Sequence, residues 1–232
     1  MDVSKYQAFA AEQLGSFKKI DLLITAFTHR SYLNEHKKTV KEHNERLEFL
    51  GDAVLELVVT EFLYKRFSDP EGVLTNWRSA LVRTESLSAV ASQLGFEPLL
   101  RLSRGEKRGS QRARSQILAN AYEAVIGALY LEKGYPAANK FITDTLLPGF
   151  DEILYSGSWV DPKSRLQEAV QSKEGFTPVY KVLSEEGPDH DKIFVVGVFV
   201  DNKLRGEGTG PSKQVAQVAS AQVALKQYQK SD

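Results

Sequence analysis

The sequence predicts two domains of different class: an all-α domain over residues 1–154 and, after a linker at 155–161, a small α+β domain of order α-β-β-β-α over 162–232. Three observations predict it. Apolar residues recur at helical spacing through the first part, and β-branched and aromatic runs replace them in the second. Between the two lies Tyr155-Ser-Gly-Ser-Trp-Val160, short and rich in small residues.

Helical periodicity runs through Ile20–Phe27, Leu47–Phe67, Trp77–Leu94, Ile117–Leu131 and Phe141–Leu154. Punctuation falls at Asp69-Pro70-Glu71-Gly72, at Gly95, around Gly105–Gly109 and at Gly134-Tyr-Pro136. The second domain opens at Asp161-Pro162, an N-cap followed by proline at the first helical position, and Ser164–Ser172 is its short helix. Thr177–Leu183 and Lys192–Val200 read as strands. Asp201-Asn202 supplies the turn into a third strand at Lys203–Gly208. Gly210-Pro211-Ser212 then starts a last helix, with Val215, Ala216, Ala219 and Val223 expected on its inner face.

Thirty basic and thirty acidic side chains balance, so any surface for an anionic partner has to be local. The chain has no cysteine, which excludes disulfides, thiolate zinc sites and cysteine nucleophiles, and fits a reducing compartment. No apolar run approaches the roughly 20 residues of a membrane span. The start, MDVSKYQAFA, lacks a signal-peptide core. A soluble, cytoplasmic protein with no membrane partner is expected.

The most informative stretch is Asn44–Leu57, NERLEFLGDAVLEL, which sets Glu45, Glu48 and Asp52 on one helical stripe. At about 100° per residue, the three carboxylates share roughly 60° of arc. Apolar residues cover most of the remaining circumference, so this reads as a core helix whose acids need a cation, a proton or a partner. A second helix, over Ser115–Gly134, sets Asn120 and Glu123 one turn apart on the face of Gly127. Gly51 and Gly127 each cost about 1 kcal/mol relative to alanine inside a helix, which makes sense where two helices approach closely. Packed together, these helices are expected to join Glu48, Asp52, Asn120 and Glu123 in an oxygen-rich pocket suited to Mg²⁺ or Mn²⁺. Pairing with nearby Arg or Lys is the bland alternative for any one acid. His29 is expected to pack or hydrogen-bond rather than act as a base.

The chain resembles the ribonuclease III family over nearly its whole length. Thr28-His-Arg-Ser-Tyr-Leu-Asn-Glu35 is similar to the family's early motif, Glu45–Leu55 to its signature, and Ile117–Gly127 to its second acidic motif. The C-terminal unit, including Gly206-Glu-Gly-Thr-Gly-Pro-Ser-Lys213, resembles a double-stranded-RNA-binding domain. The resemblance implies a metal-dependent endoribonuclease of RNA processing that cuts double-stranded RNA to 5′-phosphate and 3′-hydroxyl ends. It further implies a homodimer with one site per subunit. Glu48, Asp52 and Glu123 become metal-site and catalytic residues, and Glu45 a further acid beside the site. Phe49 is a candidate interface anchor.

One position departs: Asn120 stands where the family's second motif has aspartate. It brings an oxygen but no charge, so weaker metal binding is expected. For RNA, the C-terminal domain offers ten basic against eight acidic residues over 162–230, so recognition has to depend on geometry. Arg165, Gln167 and Glu168 on its first helix, His190 in the β1–β2 loop, and Ser212 and Lys213 at the last helix start are the candidates. Gln214 and Gln217 follow Lys213 where the family tends to carry more lysine. A second basic source is Arg101–Arg114, where Arg108, Arg112 and Arg114 are candidate substrate contacts. The rival reading is a non-catalytic RNA-binding or ribosome-associated protein on the same scaffold, favoured only by Asn120.

Overall fold

The structure, a computed structural model, describes residues 3–151, 154, 162–188 and 192–229. The expected linker at 155–161 lies outside the described residues. The chain divides into two compact units, Met1–Trp159 and Val160–Asp232.

The first unit is helical. In chain order it contains α1 (Ser4–Phe9) with a π-wound turn after it (Ala10–Leu14), α2 (Ile20–Ala26), α3 (Arg30–Glu35) and α4 (Glu45–Arg66). There follow α5 (Glu71–Leu81), α6 (Thr84–Gln93), α7 (Gln111–Lys133) and α8 (Tyr135–Thr145). The apolar stretch Trp77–Leu94 is two helices rather than one. The chain breaks at Val82-Arg83, where Arg83 is extended and Ser86 Oγ donates to the Ala80 carbonyl at 2.9 Å to close the corner. Ser110 Oγ caps the start of α7 by accepting from Ala113 N at 3.3 Å, and Gly134 ends it at φ +77°.

The central helix is α7, buried nearly all round from Ile117 to Leu129. Around it the rings of Phe9, Phe27 and Phe96 meet edge to face at 4.9–5.5 Å. The expectation that α4 is apolar because it is enclosed is half right. Leu47, Val54, Leu55, Val58, Val59 and Leu63 are buried, but Phe49 is 81% exposed, Leu57 57% and Tyr64 78%. Asp52 and Ala53 are exposed as well. Helix α4 lies at the rim of its unit, and the chain's own core covers only one of its two apolar sides.

Helices α4 and α7 cross with their backbones in contact. A Cβ on Gly51 would stand 1.7 Å from the Glu123 carbonyl oxygen, and one on Gly127 2.2 Å from that of Leu47. The two interior glycines are therefore steric requirements of the crossing.

The second unit opens with α9 (Pro162–Glu174), continues through β1 (Val179–Glu186), β2 (Ile193–Val200) and β3 (Lys203–Gly210), and closes with α10 (Lys213–Gln229). The strands form one antiparallel sheet in the order β1-β2-β3. Asp201 and Asn202, at φ +48° and +60°, make the tight turn that their sequence announced. Both helices cover one face, burying Leu166, Val170, Val198, Val200, Ala224 and Tyr228. The inner face of α10 differs from expectation. Ala216 is buried, but Val215 is 47% and Val223 42% exposed. The reason lies on β3: a Cβ on Gly208 would meet Ser220 N at 2.2 Å, and one on Gly206 the Ser220 oxygen at 2.6 Å. Helix and strand are too close for valine between them, so Ala216, Ser220 and Ala224 face the sheet.

Gly51→Ala is expected to destabilise the protein by about 3 kcal/mol, the upper range for overpacking. Gly72→Ala, with nothing within 4 Å of its new Cβ in the first turn of α5, is expected to be neutral or gain up to about 1 kcal/mol. Urea midpoints of the two variants check the contrast.

Candidate metal centre

The early motif fixes where α4 begins. Asn44, 2% exposed, donates its backbone N–H to the Thr28 carbonyl at 2.9 Å, while its own carbonyl accepts from Glu48 N at 2.8 Å. Thr28 is in turn tied to the chain that leads into α7. Arg101 Nη1 donates to Thr28 Oγ1 at 3.0 Å, Arg101 N to the Phe27 carbonyl at 2.8 Å, and His29 N to the Arg101 carbonyl at 3.1 Å. His29 itself caps α3: its Nδ1 accepts from Ser31 N at 3.3 Å. Burial lowers its pKa, against the charges of Glu106 and Glu45. The hydrogen-bonding role expected for it is the one it has.

Glu48 and Asp52 flank Gly51 on α4, and Asn120 and Glu123 precede Gly127 on α7. Burial pushes the Glu123 carboxyl up to about 8, and the charges of Asp52, Glu48 and Glu56 add to the rise. The Glu48 carboxyl is raised too, first by burial and next by Glu45, while a hydrogen bond from Asn120 opposes the rise. Asp52 is exposed at the mouth of this group. Among the described residues, no ion pair neutralises Glu48, Asp52 or Glu123. Among the described residues, these three acids do not make the bland pairing with Arg or Lys.

The carboxylates share a field without forming a closed cage: no three His, Asp or Glu among the described residues are grouped tightly enough to hold a metal ion. Glu45 stands at the edge, half exposed, 3.4 Å from Arg30 and 3.9 Å from His43. Glu56, one turn beyond Asp52, escaped the sequence reading. It adds to the field at Glu123 and is held by Arg78 at 2.9 Å. Its i, i+4 spacing from Asp52 was the available signal.

The basic candidates separate into free and engaged groups. Arg108 and Arg112 are exposed, whereas Arg114 donates through Nε to both Glu97 oxygens at 3.0 Å. In the second unit, Ser212 Oγ caps α10 by accepting from Val215 N at 3.3 Å. Lys213 lies 3.2 Å from Glu185 and over the Phe194 ring. Gln167 and Glu168 are exposed on α9 and Arg165 is half-buried. His190 lies outside the described residues.

An all-α domain with paired acidic helices, followed by an α-β-β-β-α unit, defines a nuclease joined to an RNA-binding module. Residues 19–150 match the family model for ribonuclease-III-like domains, and residues 162–228 that for the double-stranded RNA binding motif. The chain is 44% identical to ribonuclease 3 of Enterococcus faecalis over 90% of its length and 91% of that protein's. Ribonuclease 3 of Geobacillus kaustophilus is also 44% identical, over 94% and 88%. The nuclease domain of ribonuclease III from Campylobacter jejuni matches with TM-score 0.56 and 38% identity over 62% of this chain and 96% of that one, in a structure concerned with a region involved in dimer formation. The chain belongs to the ribonuclease III family. It is an endoribonuclease acting on double-stranded RNA, of a family that is generally metal-dependent.

Because the native chain keeps the Glu123 proton up to about pH 8 and the unfolded chain releases it near 4.5, folding is favoured below that range. This stabilisation is lost as pH rises from about 4.5 through 8. Thermal melts in EDTA are expected to show it, and Glu123→Gln to flatten the decline; an equal decline in the variant contradicts it.

Proposed function

We propose that the chain hydrolyses phosphodiester bonds of duplex RNA to 5′-phosphate and 3′-hydroxyl ends at a Mg²⁺ site, with Mn²⁺ as a working substitute. Glu48, Asp52 and Glu123 supply the charge, with Asn120 beside them and Glu45 at the rim. The observation that carries this reading is the set of charge-coupled carboxylates, contributed by two helices, with no ion-pair partner among the described residues. An all-oxygen donor set fits a hard divalent ion.

When bound, the ion lowers the pKa of a water and offsets charge on the phosphate. The protein's part is to hold and orient. Glu123 gives up its proton to receive the cation, Asp52 meets the substrate side at the open mouth, and Glu48 holds the group from the buried side. Glu45, shared between Arg30 and His43, stands toward the RNA. No histidine is needed as a base, and His29 is committed to its cap.

Each strand of a duplex presents its own scissile phosphate, so two sites are required, and a homodimer supplies them. The exposed apolar stripe of α4 (Phe49, Leu57 and Tyr64) supports a second copy of the chain as its cover, with Phe49 as anchor. Arg108 and Arg112 are the candidate phosphate contacts of the first unit, and Arg114 contributes less because Glu97 holds it. In the second unit Ser212, Lys213, Arg165, Gln167, Glu168 and His190 read A-form geometry across the minor groove. No described helix is long and apolar enough to cross a membrane, and with no cysteine in the chain we assign the enzyme to the cytoplasm.

Asp52→Ala and Glu123→Gln are each expected to lower cleavage of long duplex RNA by about 10³-fold or more while leaving RNA affinity within about 3-fold. Retained turnover removes that residue from the chemistry. Phe49→Glu is expected to shift the sedimenting species from dimer toward monomer. Arg108→Ala with Arg112→Ala is expected to weaken duplex binding and reduce the slope of log affinity on log salt by about 2; an unchanged slope excludes them from the interface.

A further inference from the structure

The side chain of Asn120 is held at both ends. Gln116, one turn earlier on α7, donates from Nε2 to Asn120 Oδ1 at 2.7 Å. Asn120 also acts on the Glu48 carboxylate of α4, where it opposes the rise in that group's pKa. A carboxylate only accepts, so Asn120 turns its Nδ2 toward Glu48, and its Oδ1 is left for Gln116. Gln116 is fixed in the same sense, since Thr84 Oγ1 of α6 donates to its Oε1 at 3.4 Å. The donors run one way, from Thr84 of α6 through Gln116 to Asn120 of α7, which leaves the Asn120 amide donor for Glu48 of α4.

We propose that Asn120 is a positioning residue for Glu48, driven by Gln116, rather than a direct ligand of the divalent ion. The oxygen that an asparagine offers a cation is here engaged by Gln116, and the group facing the acids is a donor. This arrangement holds Glu48 in one orientation and adds no fourth negative charge to a part-buried set. The inference rests on the metal-centre reading given above.

Gln116 is exposed, so it can be changed without disturbing the core. The test measures Mn²⁺ binding to the full chain without RNA, by electron paramagnetic resonance of the free ion. Gln116→Ala removes the donor that fixes Asn120 and is expected to weaken Mn²⁺ binding by about 3-fold. Gln116→Glu is more decisive. An acceptor at 116 draws Nδ2 to itself and turns the Asn120 oxygen against Glu48. Mn²⁺ binding is then expected to fall by about 10-fold, in the range of outer-sphere substitutions at metal sites, despite the added negative charge. Asn120→Ala is expected to fall at least as far and to be insensitive to a further Gln116→Glu change.

Unchanged or tighter Mn²⁺ binding in Gln116→Glu overturns the positioning role, because an added carboxylate acting only through charge strengthens a cation site. Additive losses in the double variant overturn it as well. A wild-type chain whose Mn²⁺ binding is unaffected by Asp52→Ala instead overturns the metal-centre reading itself, and the positioning role with it. Unfolding midpoints in EDTA, expected to match wild type in the Gln116 variants, separate these results from a general loss of fold.

Discussion

The contact of two helix backbones at Gly51 and Gly127 is the constraint on which the rest of the catalytic unit depends. Any side chain at either position would occupy the space of a carbonyl in the opposing helix. Because α4 and α7 cross there without side chains between them, the acids beside the contact come within reach of one another's charge. Glu48 lies three residues before Gly51 and Asp52 directly after it, while Glu123 lies four residues and Asn120 seven before Gly127. Close approach at one point thus converts two separate acidic helices into a single charged site.

That site opposes the stability of the fold that builds it. Glu123 is driven toward its protonated form by burial and by its acidic neighbours, and Glu48 is raised in the same direction. Repulsion within the set persists until a cation or protons relieve it. Structural acids elsewhere in the chain are treated differently. Glu97 holds Arg114, Glu174 holds Arg205 at 2.8 Å, and Glu56 holds Arg78. Among the described residues, the acids at the periphery are paired and those at the crossing are not, a contrast that marks the crossing as the candidate functional site.

Much of this was legible in the sequence, and the parts that were not have definite physical causes. Helical periodicity, interior glycines and the Asp201-Asn202 turn are local signals, and each led to the right element. The Val82-Arg83 break was missed because its apolar spacing continues across the corner. The exposure of Phe49, Leu57 and Tyr64 was missed because periodicity reports that a face is apolar, not what covers it. On α10, burial of small residues in place of Val215 and Val223 follows from glycines on a different element, β3, which no reading of the helix alone reveals. Acid-bearing stripes pointed to Glu48, Asp52 and Glu123, and in the structure the charges of the first two help to raise the Glu123 carboxyl. The engagement of Asn120 by Gln116 needed coordinates, since only a through-space hydrogen bond shows which end of an amide faces the acids.

The second unit depends on the same device at smaller scale, with Gly206 and Gly208 letting α10 lie against the sheet backbone while Ser212 and Lys213 are presented at its start. Anomalous diffraction from crystals of the chain grown with Mn²⁺ is the most direct test of a cation site between α4 and α7. The expected result is a peak between α4 and α7 within coordination distance of Asp52 and Glu123 oxygens. Mn²⁺ bound elsewhere, with Glu48, Asp52 and Glu123 remaining protonated or turned to solvent, would contradict it.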